Sequence, residues 1–241
     1  MIAGFIITGN ADKAIVLRGR GPSLAAFGIS DPLLDPVLEL HGPNGSLITR
    51  NDNWKDDQRS QIEGTVFQPS DDRESVILAT LTPTLYTAIL TGKNNTAGVG
   101  IVEVFDNSQG VDSQLGQIST RGLVQGGNNV MIAGFILGGS QTPTHVAIRG
   151  IGPSLTQFGI NNALSDPTLE LHDGNGATII SNDNWTDDPV SAAELTGHGL
   201  ALSNTKESGI FTSLPAGQFT AVLAGKGAAS GIGVVEVYNL K

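Results

Sequence analysis

The chain contains no cysteine, and that absence excludes disulfides, thiolate metal sites and thiol nucleophiles. Basic residues are also scarce. Lysine and arginine total 13 against 23 acidic residues, a formal charge of −10, so no basic face is available for a phosphate backbone and nucleic acid is excluded as a partner. Aromatic residues make up 5%, which leaves few rings to spare from a core. No apolar run reaches the length of a membrane-spanning helix. The apolar start, Met1 to Ile7, is broken at once by Thr8, Gly9, Asn10 and Asp12 with no basic stretch before it, so no signal peptide is legible.

Catalytic signatures are lacking too. His41 and His172 occupy matched positions, His145 and His198 have no counterparts, and no H-E-x-x-H spacing occurs. Ser23 and Ser154 stand in G-P-S-L and not in a G-x-S-x-G elbow. The stretch Arg18 to Leu24 lacks the G-K-[S/T] of a phosphate loop, and Pro22 withholds an amide from any anion nest. These absences describe a chain that is not an enzyme and requires no cofactor.

What the chain does have is a sequence written twice. Residues 16–57 return as residues 147–188, identical at 25 of 42 positions without a gap, and the period of about 130 residues is that of a domain. Each copy opens on Met-Ile-Ala-Gly-Phe-Ile, at Met1 and Met131. Short runs of alternating character follow, such as Val37 to Leu40, Leu85 to Leu90 and Phe219 to Leu223, divided by turn signals such as Pro43-Asn44-Gly45 and Asp173-Gly174-Asn175-Gly176. Only the PSL segments, Ser60 to Val66 and Val190 to Leu195 read as short helical turns. The pattern predicts an all-β chain of two tandem antiparallel β-sandwich domains, jelly-roll-like, at residues 1–106 and 131–241.

Residues 107–130 connect them. Ile118 to Val124 reads as a leading strand of the second copy and Gly126 to Asn129 as a turn. The first copy shows no counterpart of that strand. Its absence either marks a piece of a longer repeat array or leaves a sheet edge open to a neighbour's strand, as in head-to-tail self-association.

The candidate site residues lie in the matched segments. Asp52, Asn53, Trp54, Asp56 and Asp57 recur as Asp183, Asn184, Trp185, Asp187 and Asp188, and clustered carboxylates of this kind are hard oxygen ligands for calcium. The spacing is not that of an EF-hand, and an Asx-rich turn closing the core with its tryptophan is the commoner arrangement. Trp54 and Trp185, with Asn53 and Asn184, would suit a sugar ring and its hydroxyls, although a chain this poor in rings favours their placement in the core. Arg18 and Arg149 end strands, and a clamp to a carboxylate, Arg18 to Glu39 or Glu103 and Arg149 to Glu170 or Glu236, is the structural reading of those pairs.

The tail of each copy, from Asp166-Pro167-Thr168-Leu169-Glu170-Leu171 through Asn182-Asp183-Asn184-Trp185 to Leu214-Pro215-Ala216-Gly217 and Val235-Glu236-Val237-Tyr238, resembles the bacterial pre-peptidase C-terminal type of β-sandwich. The whole unit is similar to repeat domains of large secreted or surface bacterial proteins. The resemblance implies extracellular or cell-surface placement and a binding, adhesive or spacer role. It further implies calcium on Asp173, Asp183 and Asp187 in the second copy, and on Asp52 and Asp56 in the first, where Gly42 replaces Asp173.

The functional expectation is a non-enzymatic extracellular structural or adhesive repeat protein assembling head-to-tail through strand edges. The alternative is a carbohydrate-binding module whose Asn/Asp/Trp loops hold a glycan.

Overall fold

The computed structural model describes residues 1–108, 110–127, 129–138 and 142–240. The chain divides into two compact units, Met1–Gly116 and Gln117–Lys241. The boundary falls inside a strand of the connecting segment at 107–130. The turn expected at Gly126 to Asn129 includes Asn128, which lies outside the described residues.

In the first unit the strands are β1 (Ile2–Gly9), β2 (Lys13–Arg20), β3 (Pro36–His41), β4 (Leu47–Asn51), β5 (Ser75–Leu81), β6 (Leu85–Gly92) and β7 (Ile101–Asp106), with one helical turn, α1 (Arg59–Ile62). One sheet has the order β1-β6-β3-β4 and the facing sheet β5-β2-β7. Alternation sets the inner faces: Ala3, Phe5 and Ile7 of β1 and Tyr86, Ala88 and Leu90 of β6 are buried. β2 departs from alternation because both of its faces are covered. Ile15 and Leu17 are buried on one side, while Val16 packs on the other against Trp54, Ile62 and Val76.

The second unit begins within β8 (Ser113–Val124) and continues through β9 (Met131–Leu137), β10 (Thr144–Ile151), β11 (Pro167–Asp173), β12 (Thr178–Asn182), β13 (Ser208–Leu214), β14 (Gly217–Gly225) and β15 (Gly231–Leu240), with α2 (Pro189–Gly197) between β12 and β13. Its sheets have the orders β12-β11-β14-β9 and β13-β10-β15-β8. Counted along the chain from β8, the first strand neighbours the eighth, which neighbours the third, then the sixth; the second neighbours the seventh, then the fourth, then the fifth. That is the strand order of a jelly roll. The first unit follows the same order from its second strand onward.

A short 3-10 turn after β2 and after β10 takes the chain round a corner. It spans Pro22–Phe27 and Pro153–Phe158, starts on proline with φ already fixed, and ends on Gly28 and Gly159 with φ of 84° and 80°. The glycine before it is required by space. A Cβ on Gly21 would lie 1.9 Å from the Leu33 carbonyl oxygen, and on Gly152 it would lie 2.2 Å from that of Leu164.

Candidate functional site

The matched motifs meet in a polar frame, built once in each unit. Glu74, at the start of β5, is 0% exposed, and its Oε1 accepts from the backbone N–H groups of Gly21 and Ser23, both at 3.0 Å, and from Ser23 Oγ at 2.6 Å. Glu207 does the same for Gly152 and Ser154, at 3.2, 3.0 and 2.6 Å. These bonds offset the cost of burying the charge at Oε1, while Glu74 Oε2 is buried without a hydrogen-bond partner, 4.0 Å from Arg20 Nε. The next residue completes the frame: Ser75 Oγ lies 2.6 Å from the Pro36 carbonyl and 3.0 Å from that of Asp52, and Ser208 Oγ sits likewise between the carbonyls of Pro167 and Asp183.

The Asn-Asp-Asn-Trp loop is tied to the same strand. Asn51 Oδ1 accepts from the Val76 backbone N–H at 3.0 Å, and the backbone N–H of Trp54 donates to the Glu74 carbonyl at 2.8 Å. In the second unit Asn182 Oδ1 accepts from the Gly209 backbone N–H at 2.8 Å and the backbone N–H of Trp185 donates to the Glu207 carbonyl at 2.7 Å. Trp54 is 1% exposed in a core of Val16, Ile62 and Val76, and Trp185 is half-buried against Ala147, Leu195 and Leu202. Neither Trp54 nor its asparagine loop offers a ring face for a sugar. Asn53 and Asn184 instead donate through Nδ2 to Asp56 and Asp187, at 2.8 and 3.0 Å, closing the loop on itself.

The arginine clamp selects the strand directly opposite. Arg18 stands in register with Glu103 and Arg149 with Glu236, and the ion pairs close at 2.6 and 2.5 Å. Glu39 and Glu170 are not the partners. They face His41 and His172 two residues along their own strands, at 2.9 and 3.0 Å. Hydrogen bonds to the Gly45 carbonyl and then to Glu39 raise the His41 pKa above its usual 6.5. Tyr238 joins the second clamp by donating to Glu236 at 3.1 Å. Burial, followed by the Glu236 charge, pushes its phenol from 10.0 up to about 12.

Of the carboxylates expected to hold calcium, Asp52 and Asp56 lie near Lys93, Asp183 and Asp187 lie near Lys226, and Asp173 is engaged in its own hairpin. Asp173 Oδ1 accepts from the N–H groups of Asn175 and Ala177, both at 2.9 Å, as the cap of the β11–β12 hairpin. Asp183 pairs with Lys226 and Asp187 caps the Asn184 turn. In the first unit Asp52 pairs with Lys93 at 2.7 Å and Asp56 caps the Asn53 turn. The hydrogen bonds that Lys93 and Lys226 donate to Asp52 and Asp183 raise the pKa of each lysine. Among the described residues no group of three or more His, Asp or Glu is placed to hold a metal ion, while Asp52 Oδ1 and Asp183 Oδ1 are buried without a hydrogen-bond partner.

Glu74, Glu207, Lys93 and Lys226 were not singled out by sequence. The available signal was the repeated Glu-Ser at 74–75 and 207–208 and the repeated Gly-Lys at 92–93 and 225–226.

The units differ at one sheet edge. In the second unit β15 is flanked by β10 and β8, whereas in the first its counterpart β7 has β2 on one side and, among the described residues, no strand on the other. Val235 and Val237 of β15 are 0% and 5% exposed. Their counterparts Val102 and Val104 are only half-buried, and Ile101 is 40% exposed. A groove of about 410 Å³ runs beside the start of β7, lined by Met1, Leu33, Leu90, Gly98 and Gly100 among others. The equivalent space in the second unit is filled by Val124 of β8, which is 0% exposed and packs with Met131, Leu164 and Leu223.

No family model and no curated protein matches the chain. Solved structures it is similar to include the major capsid protein P2 of bacteriophage PM2, at 10% identity over 100% of this chain and 92% of that one, with a TM-score of 0.27. Sulfolobus turreted icosahedral virus gives 10% identity over 99% and 88%, TM-score 0.28. The VP54 protein of PBCV-1 gives 10% over 99% and 93%, TM-score 0.20. These neighbours are viral proteins, and no family model, of a pre-peptidase C-terminal domain or any other, matches the chain, so the resemblance inferred from sequence is corrected. With overlaps this small, the strand order of the chain itself carries the fold assignment: an all-β, sandwich-like architecture of jelly-roll type. No helix among the described residues is long and apolar enough to cross a membrane, and the described residues present no catalytic constellation.

Proposed function

We propose that the chain is a non-enzymatic structural or adhesive repeat protein of two tandem jelly-roll sandwiches, joined to neighbouring units head-to-tail through strand edges. The observation that carries this reading is the unequal treatment of β7 and β15: the same strand is enclosed in one unit and edges the sheet in the other. An edge strand with half-buried valines is a template for further pairing unless it is blunted by charge, proline or a bulge. Of those devices β7 carries only Glu103, already held by Arg18, and Asp106, held by Lys13 at 2.7 Å. The reading extends to placement outside the cell, where a chain without cysteine has no thiol to oxidise.

The test is sedimentation velocity across a concentration series, with electron microscopy of the concentrated sample. Association that is lost in Ile101→Lys, a charge set on the exposed edge, is the expected result. A chain that stays monomeric at every concentration, alone and with neighbouring repeat units added, would overturn the proposal.

A further inference from the structure

We propose that the outer edge of β7 and the groove beside it form a docking site for one extended peptide segment with the pattern of residues 117–126, Gln-Ile-Ser-Thr-Arg-Gly-Leu-Val-Gln-Gly, supplied by a partner polypeptide, with its valine seated against Leu33, Leu90 and Gly100. The proposal rests on the strand-edge reading and names its occupant.

The second unit shows what covers this surface. There β8 runs antiparallel to β15 with Val124 opposite Gly231, Gly122 opposite Gly233, Thr120 opposite Val235 and Ile118 opposite Val237. The corresponding positions of the first unit are Gly98, Gly100, Val102 and Val104. The floor of the socket is kept: Leu164, Leu223, Gly231 and Gly233 recur as Leu33, Leu90, Gly98 and Gly100. Gly231 and Gly233 are buried beneath β8, while Gly98 is exposed and Gly100 half-exposed. The difference between the units is therefore the covering strand and not the surface that receives it.

Side-chain volume and backbone bonding both favour this occupant. A valine at the Val124 position fills an apolar groove that is otherwise open, and pairing satisfies the outward N–H and C=O groups of β7. One bond is missing. Ser230 Oγ donates to the Val124 carbonyl at 2.9 Å, and the first unit has Ala97 in place of that serine. Restoring the hydroxyl should therefore tighten binding.

The experiment uses the full chain and a synthetic peptide of residues 117–126 carrying a fluorophore, followed by anisotropy. Saturable binding is expected, abolished when the peptide carries Val124→Asp. Binding to an Ala97→Ser chain, altered only at an exposed residue, is expected to be about fivefold tighter, the value of one added hydrogen bond. Register is read separately in this cysteine-free background. A chain with Ile101→Cys should oxidise to a disulfide with a peptide carrying Arg121→Cys, and much less with one carrying Thr120→Cys.

No binding of the peptide by the full chain overturns the proposal, as does cross-linking without preference for register. If the chain associates through the Ile101 edge but neither binds the peptide nor is dispersed by it, edge assembly stands and the valine socket is wrong. If the peptide binds in register while neighbouring units never associate, the socket stands and the assembly reading falls.

Discussion

At the scale of single residues the two buried glutamates hold most of the frame. Glu207 accepts three hydrogen bonds from the Gly152–Ser154 corner, so Glu207→Ala strands those donors and leaves a cavity. The expected loss is about 3 kcal/mol, measured by urea unfolding with Trp185 as reporter and Trp54→Phe as background. Tyr238 gives a second prediction. Its phenol titrates at about 12 against an ordinary 10.0, so the folded state holds a proton that the unfolded state has released between those values. Stability of the second unit therefore falls as pH rises from 10 toward 12, and Tyr238→Phe should remove that slope in alkaline melts. His41 acts in the opposite sense of charge. Its raised pKa contributes stability that is complete below the ordinary value and lost as pH rises through the raised one, and an NMR titration of the ring should find the higher midpoint. Thermal melts with calcium at about 1 mM should match those without it, since each candidate carboxylate already serves a turn or a lysine.

Elements were legible where periodicity or a breaker residue marks them, and partners across the chain were not. The Gly-Pro-Ser-Leu corners, the Leu-Glu-Leu strands and the leading strand at Ile118 to Val124 all follow from local chemistry. Glu74 stands in Asp71-Asp72-Arg73-Glu74-Ser75, a polar run that reads as loop, and nothing local says that its carboxylate turns inward to a corner some fifty residues earlier. Likewise, the clamp reading left Arg18 with either Glu39 or Glu103, and only the strand register selects Glu103. The acidic loop was legible only as a pair of readings, because Asp side chains that satisfy backbone N–H groups have the same spacing as those that gather round a cation. Helix α2 illustrates that use of aspartate. Asp188 Oδ1 accepts from Val190 and Ser191 N–H at 3.0 and 3.3 Å, with Pro189 following. The first copy has Gln58 with φ of 49° in place of the proline, and its helix is only Arg59–Ile62. Asp188→Ala should cost about 1 kcal/mol and reduce helical ellipticity, whereas Asp57→Ala should leave both nearly unchanged.

Across the whole molecule the duplication conserves an interior and varies a boundary. Both units keep the glutamate frame, the arginine clamp and the strand order, while their exposed edges diverge. Heating should separate them: fluorescence from Trp54 is expected to report a lower midpoint than that from Trp185, since the first unit leaves its β7 valines half-buried. The enclosure of β15 also has a mechanical meaning. A strand held on both sides by antiparallel neighbours resists a pull along its axis through two rows of hydrogen bonds loaded together, and among the described residues β7 has one such row. Under tension the first unit becomes the weaker link, a built-in extension that yields before the second, and any strand seated on β7 would stiffen it.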